Sequence, residues 1–297
     1  MRPNPCSNPL KLLFTGLVII ILLCGADFPP KQLSTHFASL YAVPINPGSG
    51  TNLAGGTHNL TDPQELETFM DGIISAQLRA FHIPGAVVAV VKDGELLFAR
   101  GYGYADLEAF KPVDANRTLF RVGSVSKLIT WTAVMQLVEQ GQLDLDADIN
   151  TYLDFEIPAT YPQPVTLRHL MTHTPGFEDK GLGVFVKDVA DLVPLGQYLA
   201  ENIPVRVYPP GEIAAYSNYA AALAGYIVAR ASGMPFEQYV EEHIFQPLGM
   251  QHSTFRQANI PSALTEDMAV GYLYANGAFE AQNPSYANIF PAGSLLT

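Results

Sequence analysis

The chain has 297 residues, of which 48% are hydrophobic and 15% are charged, a composition typical of a folded protein with a sizeable core. Its 28 acidic residues outnumber its 16 basic ones and give a formal net charge of −12, which argues against nucleic acid as a partner because nucleic-acid-binding proteins carry the opposite charge. Both cysteines, Cys6 and Cys24, lie near the start, so the rest of the chain offers none for a disulfide or a cysteine metal site.

Residues 1–26 are organised like an export signal. Arg2 and Lys11 are the charges that precede Asp27, and the run of residues 12–26 that follows Lys11 is strongly apolar. A helix of this length spans about 22 Å, less than the ~30 Å hydrocarbon thickness of a bilayer. This favours a cleaved signal peptide over an uncleaved anchor or a buried core helix.

This leader predicts a secreted or periplasmic protein, or one on the extracellular face of the membrane. Membrane association through residues 12–26 is the alternative if the segment is not cleaved. Residues 27–60 are rich in Pro, Gly, Ser, Thr and Asn, a composition typical of a flexible linker. Residues 61–297 are then the folded domain.

Hydrophobic periodicity and turn residues predict a mixed order of helices and hairpins in this domain. A helix is expected from Asp62-Pro63 to Pro84-Gly85, followed by a β-hairpin of residues 86–91 and 95–100 around an Asp-Gly turn. A helix that begins at Ser124 and ends at Gly141 is apolar on nearly all sides and is therefore expected to be buried. Further helices are predicted near 166–173, 188–202, 217–232 and 235–246, and a second hairpin near 272–279.

The first candidate for chemistry is the segment Ser124-Val125-Ser126-Lys127. Residues three apart share one helix face, so Ser124 and Lys127 are expected to be neighbours at the positive end of the helix dipole. Desolvation of Lys127 would favour its neutral amine, which can accept the proton of a serine nucleophile. The alternatives are that Ser124 only caps the helix and that Lys127 extends to the surface.

The second candidate is Tyr216-Ser217-Asn218. In extended backbone, Tyr216 and Asn218 point to the same side and would face one cleft. A phenol near a cation can act as a general acid or base, and a carboxamide can orient a substrate amide. The alternative is that Tyr216 packs and Asn218 caps the helix that follows.

Together, the SxxK and YxN motifs and their order resemble the penicillin-recognising serine hydrolases, specifically the class C β-lactamase-like family that includes D,D-peptidases, D-aminopeptidases and esterases. Supporting stretches are LFRVGSVSKLIT (119–130), LVEQGQLDLDADINTYL (137–153), VTLRHLMTHTPGF (165–177), YPPGEIAAYSNYAAALAGYIV (208–228) and IFQPLGMQHSTF (244–255). The resemblance implies an α/β (α+β) fold in which helices flank an antiparallel sheet beside an all-helical domain. It implies no metal or organic cofactor.

By the same resemblance, Ser124 is the acylated nucleophile, Lys127 its proton partner, Tyr216 a second proton relay and Asn218 a substrate-binding residue. The implied substrate is a small molecule or a peptidoglycan peptide, attacked at a β-lactam, a D-amino-acid peptide or an ester. A carboxylesterase on the same scaffold and a catalytically silent module that binds cell-wall peptide are the alternatives.

The sequence departs from the family after the YxN motif. A Lys-Thr-Gly or His-x-Gly segment is expected roughly a hundred residues further on, and none is found before Thr297. We therefore expect a chain truncated before the third motif, without the C-terminal strands, whose 86–100 hairpin lacks its partner strands. His173 is interpreted as part of a structural turn rather than as a catalytic base.

Overall fold

The structure is a computed structural model that describes residues 18–23, 62–181 and 183–297. Residues 1–17 and 24–26 of the predicted leader and the predicted linker 27–60 lie outside the described residues. The described helices are α1 Pro63–Ala80, α2 Ser126–Glu139, α3 Leu167–Met171, α4 Leu195–Glu201, α5 Asn218–Ser232, α6 Phe236–Val240 and α7 Ser262–Thr265. The strands are β1 Val18–Leu23, β2 Gly85–Lys92, β3 Glu95–Asp106, β4 Lys111–Pro112, β5 Phe185–Val186, β6 Tyr272–Ala275, β7 Ala278–Ala281 and β8 Tyr286–Ala287.

Helix α1 forms as the sequence predicts. The carboxylate of Asp62 accepts hydrogen bonds from the backbone N–H groups of Gln64 and Glu65, and Pro63 supplies the first helical residue. Leu66, Met70 and Ile74 are buried against the sheet, whereas Phe69 and Ile73 are exposed. This first core consists of Leu66, Met70, Ile74, Val88, Val90, Phe98 and Tyr102.

The main sheet is antiparallel, in the order β1-β2-β3-β4. The predicted hairpin of β2 and β3 is confirmed, and both residues of its turn, Asp93 and Gly94, have positive φ angles, as a tight two-residue hairpin turn requires. Two smaller antiparallel pairs are present, β5 with β8 and the predicted second hairpin, β6 with β7.

The edge of β2 is paired with a strand that the sequence did not predict. Strand β1 pairs with β2 from Val18 opposite Val91 to Leu23 opposite Ala86. Part of the apolar run predicted to be a leader is therefore an extended strand here. Its backbone supplies hydrogen-bonding partners to the edge of β2, which would otherwise be exposed.

Helix α2 is only partly buried, contrary to the prediction from its all-round apolar sequence. One face packs against α5, whereas Leu128 on the other face is 64% exposed. Periodicity alone could not show this, because apolar residues occur on both faces. Helix α5 is the more deeply buried of the two, with fully enclosed residues Ala220, Ala221, Ala222, Leu223, Ala224, Ile227 and Val228.

One predicted helix is shorter than expected. The segment 188–202 divides into a 3-10 turn, Val189–Asp191, and helix α4, because Pro194 precedes α4 and cannot continue a helix from the preceding turn. The helix predicted at 235–246 is confirmed as one continuous helical run, in which α6 is followed directly by a π-helical turn, Glu241–Phe245. The mixed α/β architecture expected from the sequence is confirmed.

The last residues of the chain are joined to the start of α2. The hydroxyl of Thr130 donates to the carbonyl oxygen of Pro291 at 2.7 Å, and the N–H of Leu295 donates to Ser126 Oγ at 3.0 Å. Thr130 and Ser126 are fully buried. These bonds fix a short 3-10 turn, Phe290–Ala292, beside the side chains of α2. In the part of the chain that the structure describes, no helix has both the length and the apolar character to cross a membrane.

Candidate active site

Ser124 lies in a tight turn immediately before α2. The 3-10 turn Gly123–Val125 begins at a glycine with φ +54°, a conformation that favours residues without a Cβ. Ser126 secures the turn, because its hydroxyl donates to the carbonyl of Gly123 at 2.5 Å while accepting the N–H of Leu295. Ser124 is thereby exposed to solvent at the N-terminal end of α2, where the helix dipole favours negative charge.

Lys127 is almost fully buried, with a relative exposure of 5%. Its Nζ lies 3.0 Å from Ser124 Oγ, 2.8 Å from Asn218 Oδ1 and 2.7 Å from the carbonyl oxygen of Ala292. Burial disfavours the charged ammonium and lowers the pKa of Lys127 to about 8. About a tenth of the Lys127 side chains are therefore neutral at pH 7, and the neutral fraction grows as the pH rises toward 8. The alternative that Lys127 extends to the surface is wrong.

The three neighbours of the amine determine where its lone pair points. The oxygens of Asn218 and Ala292 can only accept hydrogen bonds, so each needs one of the N–H groups of Lys127. A neutral amine has two such groups and one lone pair. Ser124 is the neighbour with a proton to give, so the lone pair of the neutral amine points to its hydroxyl.

Tyr216 approaches the same hydroxyl from a separate segment of the chain. Its phenol donates a hydrogen bond to Ser124 Oγ at 2.6 Å, and its ring centroid lies 4.7 Å from the Nζ of Lys127. The ring is about half exposed. The phenol can therefore contact both Ser124 and a molecule bound in front of it.

Asn218 is not the cap of the helix that it begins. It is the first residue of α5, and the hydroxyl of Ser217 is the cap, accepting the N–H of Ala220 at 3.1 Å. The alternative in which Asn218 caps the helix is therefore wrong. Its Oδ1 is committed to Lys127, which leaves its amide N–H groups available as donors.

Sequence reasoning missed one member of the site, the carbonyl oxygen of Ala292. This acceptor belongs to the backbone, and no side-chain pattern marks it. The interpretation of His173 as part of a structural turn agrees with its φ of +56°. Its ring also contacts Tyr216, with centroids 4.5 Å apart, a contact that sequence spacing did not indicate.

The structure thus brings together all four residues selected from the sequence. An exposed hydroxyl in hydrogen-bonding contact with a buried amine and a phenol is an arrangement suited to nucleophilic serine chemistry.

Comparison with known proteins identifies the family. The Beta-lactamase family model matches residues 70–296, and the chain belongs to this family. A Beta-lactamase of Yersinia enterocolitica is 34% identical over 209 residues, covering 70% of this chain and 51% of that protein. Esterase EstB of Burkholderia gladioli is 35% identical over 224 residues, covering 71% of this chain and 56% of the esterase.

A solved structure has a fold similar to that of this chain. The D-alanine carboxypeptidase AmpC of Burkholderia cenocepacia superimposes with a TM-score of 0.63 at 31% identity, covering 79% of this chain and 61% of that one. The chain spans about half the length of the two curated relatives described above.

Replacing Lys127 by arginine tests the role of the amine. A guanidinium does not lose its proton in the accessible pH range, so Lys127→Arg should lower the rate of Ser124 acylation by about 10²- to 10⁴-fold. In the unmodified protein the rate should rise with pH through about 8, because only the deprotonated amine accepts the serine proton. The measurement is the second-order rate constant for labelling with a fluorophosphonate between pH 6 and 10.

The matched control is Lys92→Arg, at an exposed position near the turn of the β2–β3 hairpin. It should label at the unmodified rate. A pH-independent rate in the unmodified protein, or full labelling of Lys127→Arg, would contradict the role assigned to the amine.

Proposed function

We propose that this chain is a serine hydrolase that forms an acyl-enzyme through Ser124. The observation that carries the proposal is that the buried amine of Lys127 and the phenol of Tyr216 both contact Ser124 Oγ, at 3.0 and 2.6 Å. Two groups able to exchange protons therefore converge on one exposed hydroxyl. Membership of the Beta-lactamase family supports the same reaction class.

In the acylation step, Ser124 Oγ bonds to the carbonyl carbon of the substrate while its proton passes to the neutral Lys127 amine. Negative charge develops on the carbonyl oxygen at the positive end of α2. When the tetrahedral intermediate collapses, the bond to the leaving group breaks and Tyr216 donates its phenolic proton to that group. The ammonium of Lys127 then returns its proton to the phenolate, which restores both side chains.

In the deacylation step, water attacks the ester that joins the acyl group to Ser124. The proton of the water passes to Lys127, and the departing Ser124 oxygen takes a proton back as the carboxylic acid leaves. Asn218 has its Oδ1 held by Lys127 and its amide N–H groups free, so it is suited to donate to a carbonyl of the bound substrate.

The substrate classes proposed are β-lactams, D-amino-acid peptides such as those of peptidoglycan, and esters. The similar proteins named above are a beta-lactamase, an esterase and a D-alanine carboxypeptidase, and they cover these three classes. The alternative is a catalytically silent module that keeps the fold and binds cell-wall peptide.

Covalent labelling tests the proposal directly. A fluorophosphonate or a fluorescent penicillin should label the unmodified chain, and Ser124→Ala should abolish labelling because, within the described residues, no other hydroxyl contacts both a lysine amine and a phenol. Ser75→Ala, on the distant helix α1, serves as the control and should label normally. Labelling that persists in Ser124→Ala would refute the nucleophile, and an unmodified chain that resists both probes would favour the silent module.

Among the three substrate classes, a specific observation favours the ester, which makes a carboxylesterase the second candidate function. Val125 and Leu128 lie within four residues of Ser124 and are 48% and 64% exposed. Leu128 is one helical turn beyond Ser124 and therefore on the same side of the helix. An apolar acyl chain attached to Ser124 would cover these side chains from water.

Turnover of a nitrophenyl hexanoate ester and of a chromogenic cephalosporin separates these classes. Leu128→Ser should lower kcat/KM for the ester by about three- to tenfold, because the acyl chain loses apolar contact. It should change kcat/KM for a nitrophenyl acetate much less. Leu96→Ser, on the hairpin at a similar exposure, is the control. Cephalosporin turnover without ester turnover would exclude the carboxylesterase.

We further propose that the chain is exported, on the basis of Arg2, Lys11 and the apolar residues 12–26. Cleavage after residue 26 would remove β1 from the edge of β2. A fusion of residues 1–60 to a phosphatase that is active only outside the cytoplasm should be active, and N-terminal sequencing of the product locates the cleavage. An inactive fusion would contradict export, and an active, uncleaved product in the membrane fraction would indicate an anchor.

A further inference from the structure

We propose that His173 is a positioning residue that holds the phenol of Tyr216 against Ser124. The inference rests on the proposed function, in which Tyr216 exchanges protons with the reacting groups. His173 lies in the turn that follows α3 and has no hydrogen bond to Ser124 or Lys127 in the described structure. It contacts the segment that carries Tyr216 in three ways.

Two of these contacts hold the backbone on either side of Tyr216. The N–H of Ala215 donates to the carbonyl oxygen of His173 at 2.8 Å, and the N–H of Ser217 donates to the Nδ1 of its ring at 3.2 Å. One residue thus accepts hydrogen bonds from both neighbours of Tyr216. This fixes the direction in which the Tyr216 side chain leaves the backbone.

The third contact is between rings. The centroids of His173 and Tyr216 are 4.5 Å apart with the planes tilted by 38°, and Trp131 meets His173 edge-on with centroids 6.2 Å apart. Trp131 lies on α2, one turn beyond Lys127, so the histidine ring is packed between the helix that starts beside Ser124 and the phenol. The position of Tyr216 is thereby set relative to Ser124 through packed side chains.

The bond from Ser217 requires a particular form of the histidine. Nδ1 can accept a hydrogen bond only when it carries no proton, so the ring must be neutral with its proton on Nε2. Burial lowers the pKa of His173, and the positive charge of Lys127 lowers it further. The ammonium of Lys127, which faces the ring from α2, therefore favours the neutral histidine, the form that can accept the N–H of Ser217.

The backbone of His173 also limits what can replace it. Its φ of +56° lies in the left-handed region, where asparagine is better tolerated than most residues. An asparagine Oδ1 occupies nearly the same place on its side chain as Nδ1 does in histidine. His173→Asn therefore keeps the acceptor and the backbone conformation but loses the ring contact, whereas His173→Ala loses both side-chain contacts.

The experiment compares these two variants in the full chain with His169→Ala as the matched control. His169 lies nearby on α3, and its Nδ1 also accepts a backbone N–H, that of Thr166, at the same 3.2 Å. Its pKa is also lowered by burial. The two alanine variants should lose similar stability in thermal melts, so a difference in kinetics reports on Tyr216.

Steady-state ester hydrolysis should show a fall in kcat of about 10- to 100-fold for His173→Ala with little change in KM, as expected for a misplaced catalytic group. His173→Asn should recover most of the loss, and His169→Ala should keep the unmodified kcat. In a Tyr216→Phe background, His173→Ala should have no further effect on kcat, because the residue acts through the phenol. Equal losses in His173→Ala and His169→Ala, or additive losses with Tyr216→Phe, would overturn the proposal.

A structural measurement separates this inference from the proposed function. Crystal structures of the unmodified chain and of His173→Ala give the distance between Tyr216 Oη and Ser124 Oγ whether or not the protein is active. Displacement of the phenol in His173→Ala supports the positioning role even if labelling shows that Ser124 is not acylated. An unchanged distance overturns the role even if Ser124 is the nucleophile.

Discussion

The burial of the Lys127 amine among three oxygens is the constraint on which the rest of the structure depends. A buried amine without partners is costly, and here each polar contact is made by a different part of the chain. Ser124 comes from the turn before α2, Asn218 from the start of α5 and Ala292 from the C-terminal segment. These three elements must therefore meet at one point. Their meeting also sets the proton affinity of the amine, since the same burial that excludes water lowers its pKa.

Two parts of the fold hold these three elements together around the Lys127 amine. Helix α5 is deeply buried, and α2 packs along it. On the other side, Ser126 and Thr130 anchor the C-terminal segment through fully buried hydroxyl groups. Buried hydroxyls with satisfied partners specify position more sharply than apolar contacts do, because their hydrogen bonds depend on direction. The two bonds together hold the Ala292 carbonyl within reach of Lys127.

The sequence revealed the part of the site that depends on local spacing. Ser124 and Lys127 are three residues apart, and helical geometry places them together without any knowledge of the fold. The proximity of Tyr216, 92 residues away from Ser124, followed only from the family resemblance, because local patterns carry no information on long-range contacts. The carbonyl of Ala292 could not be found in this way, since every residue has one.

Two features of the fold were not evident from the sequence, for related reasons. An apolar run such as residues 12–26 suits a leader, an anchor or a strand equally well, and in the structure its residues Val18–Leu23 pair with the edge of β2. Apolar residues on both faces of α2 suggested full burial. Only the packing of α5 and the C-terminal segment shows which face is covered, and Leu128 is left on the open side.

Gly225 gives α5 a second influence on the amine. It lies seven residues after Asn218, about two helical turns, so both face the same side, and a Cβ at Gly225 would collide with the ring of Pro291. A larger residue at this position would displace Pro291. The carbonyl of the next residue, Ala292, accepts a hydrogen bond from Lys127 and would move with it. The proton affinity of Lys127 thus depends on the absence of a side chain at Gly225. Substitutions at this position can change the reactivity of Ser124 although Gly225 does not contact it.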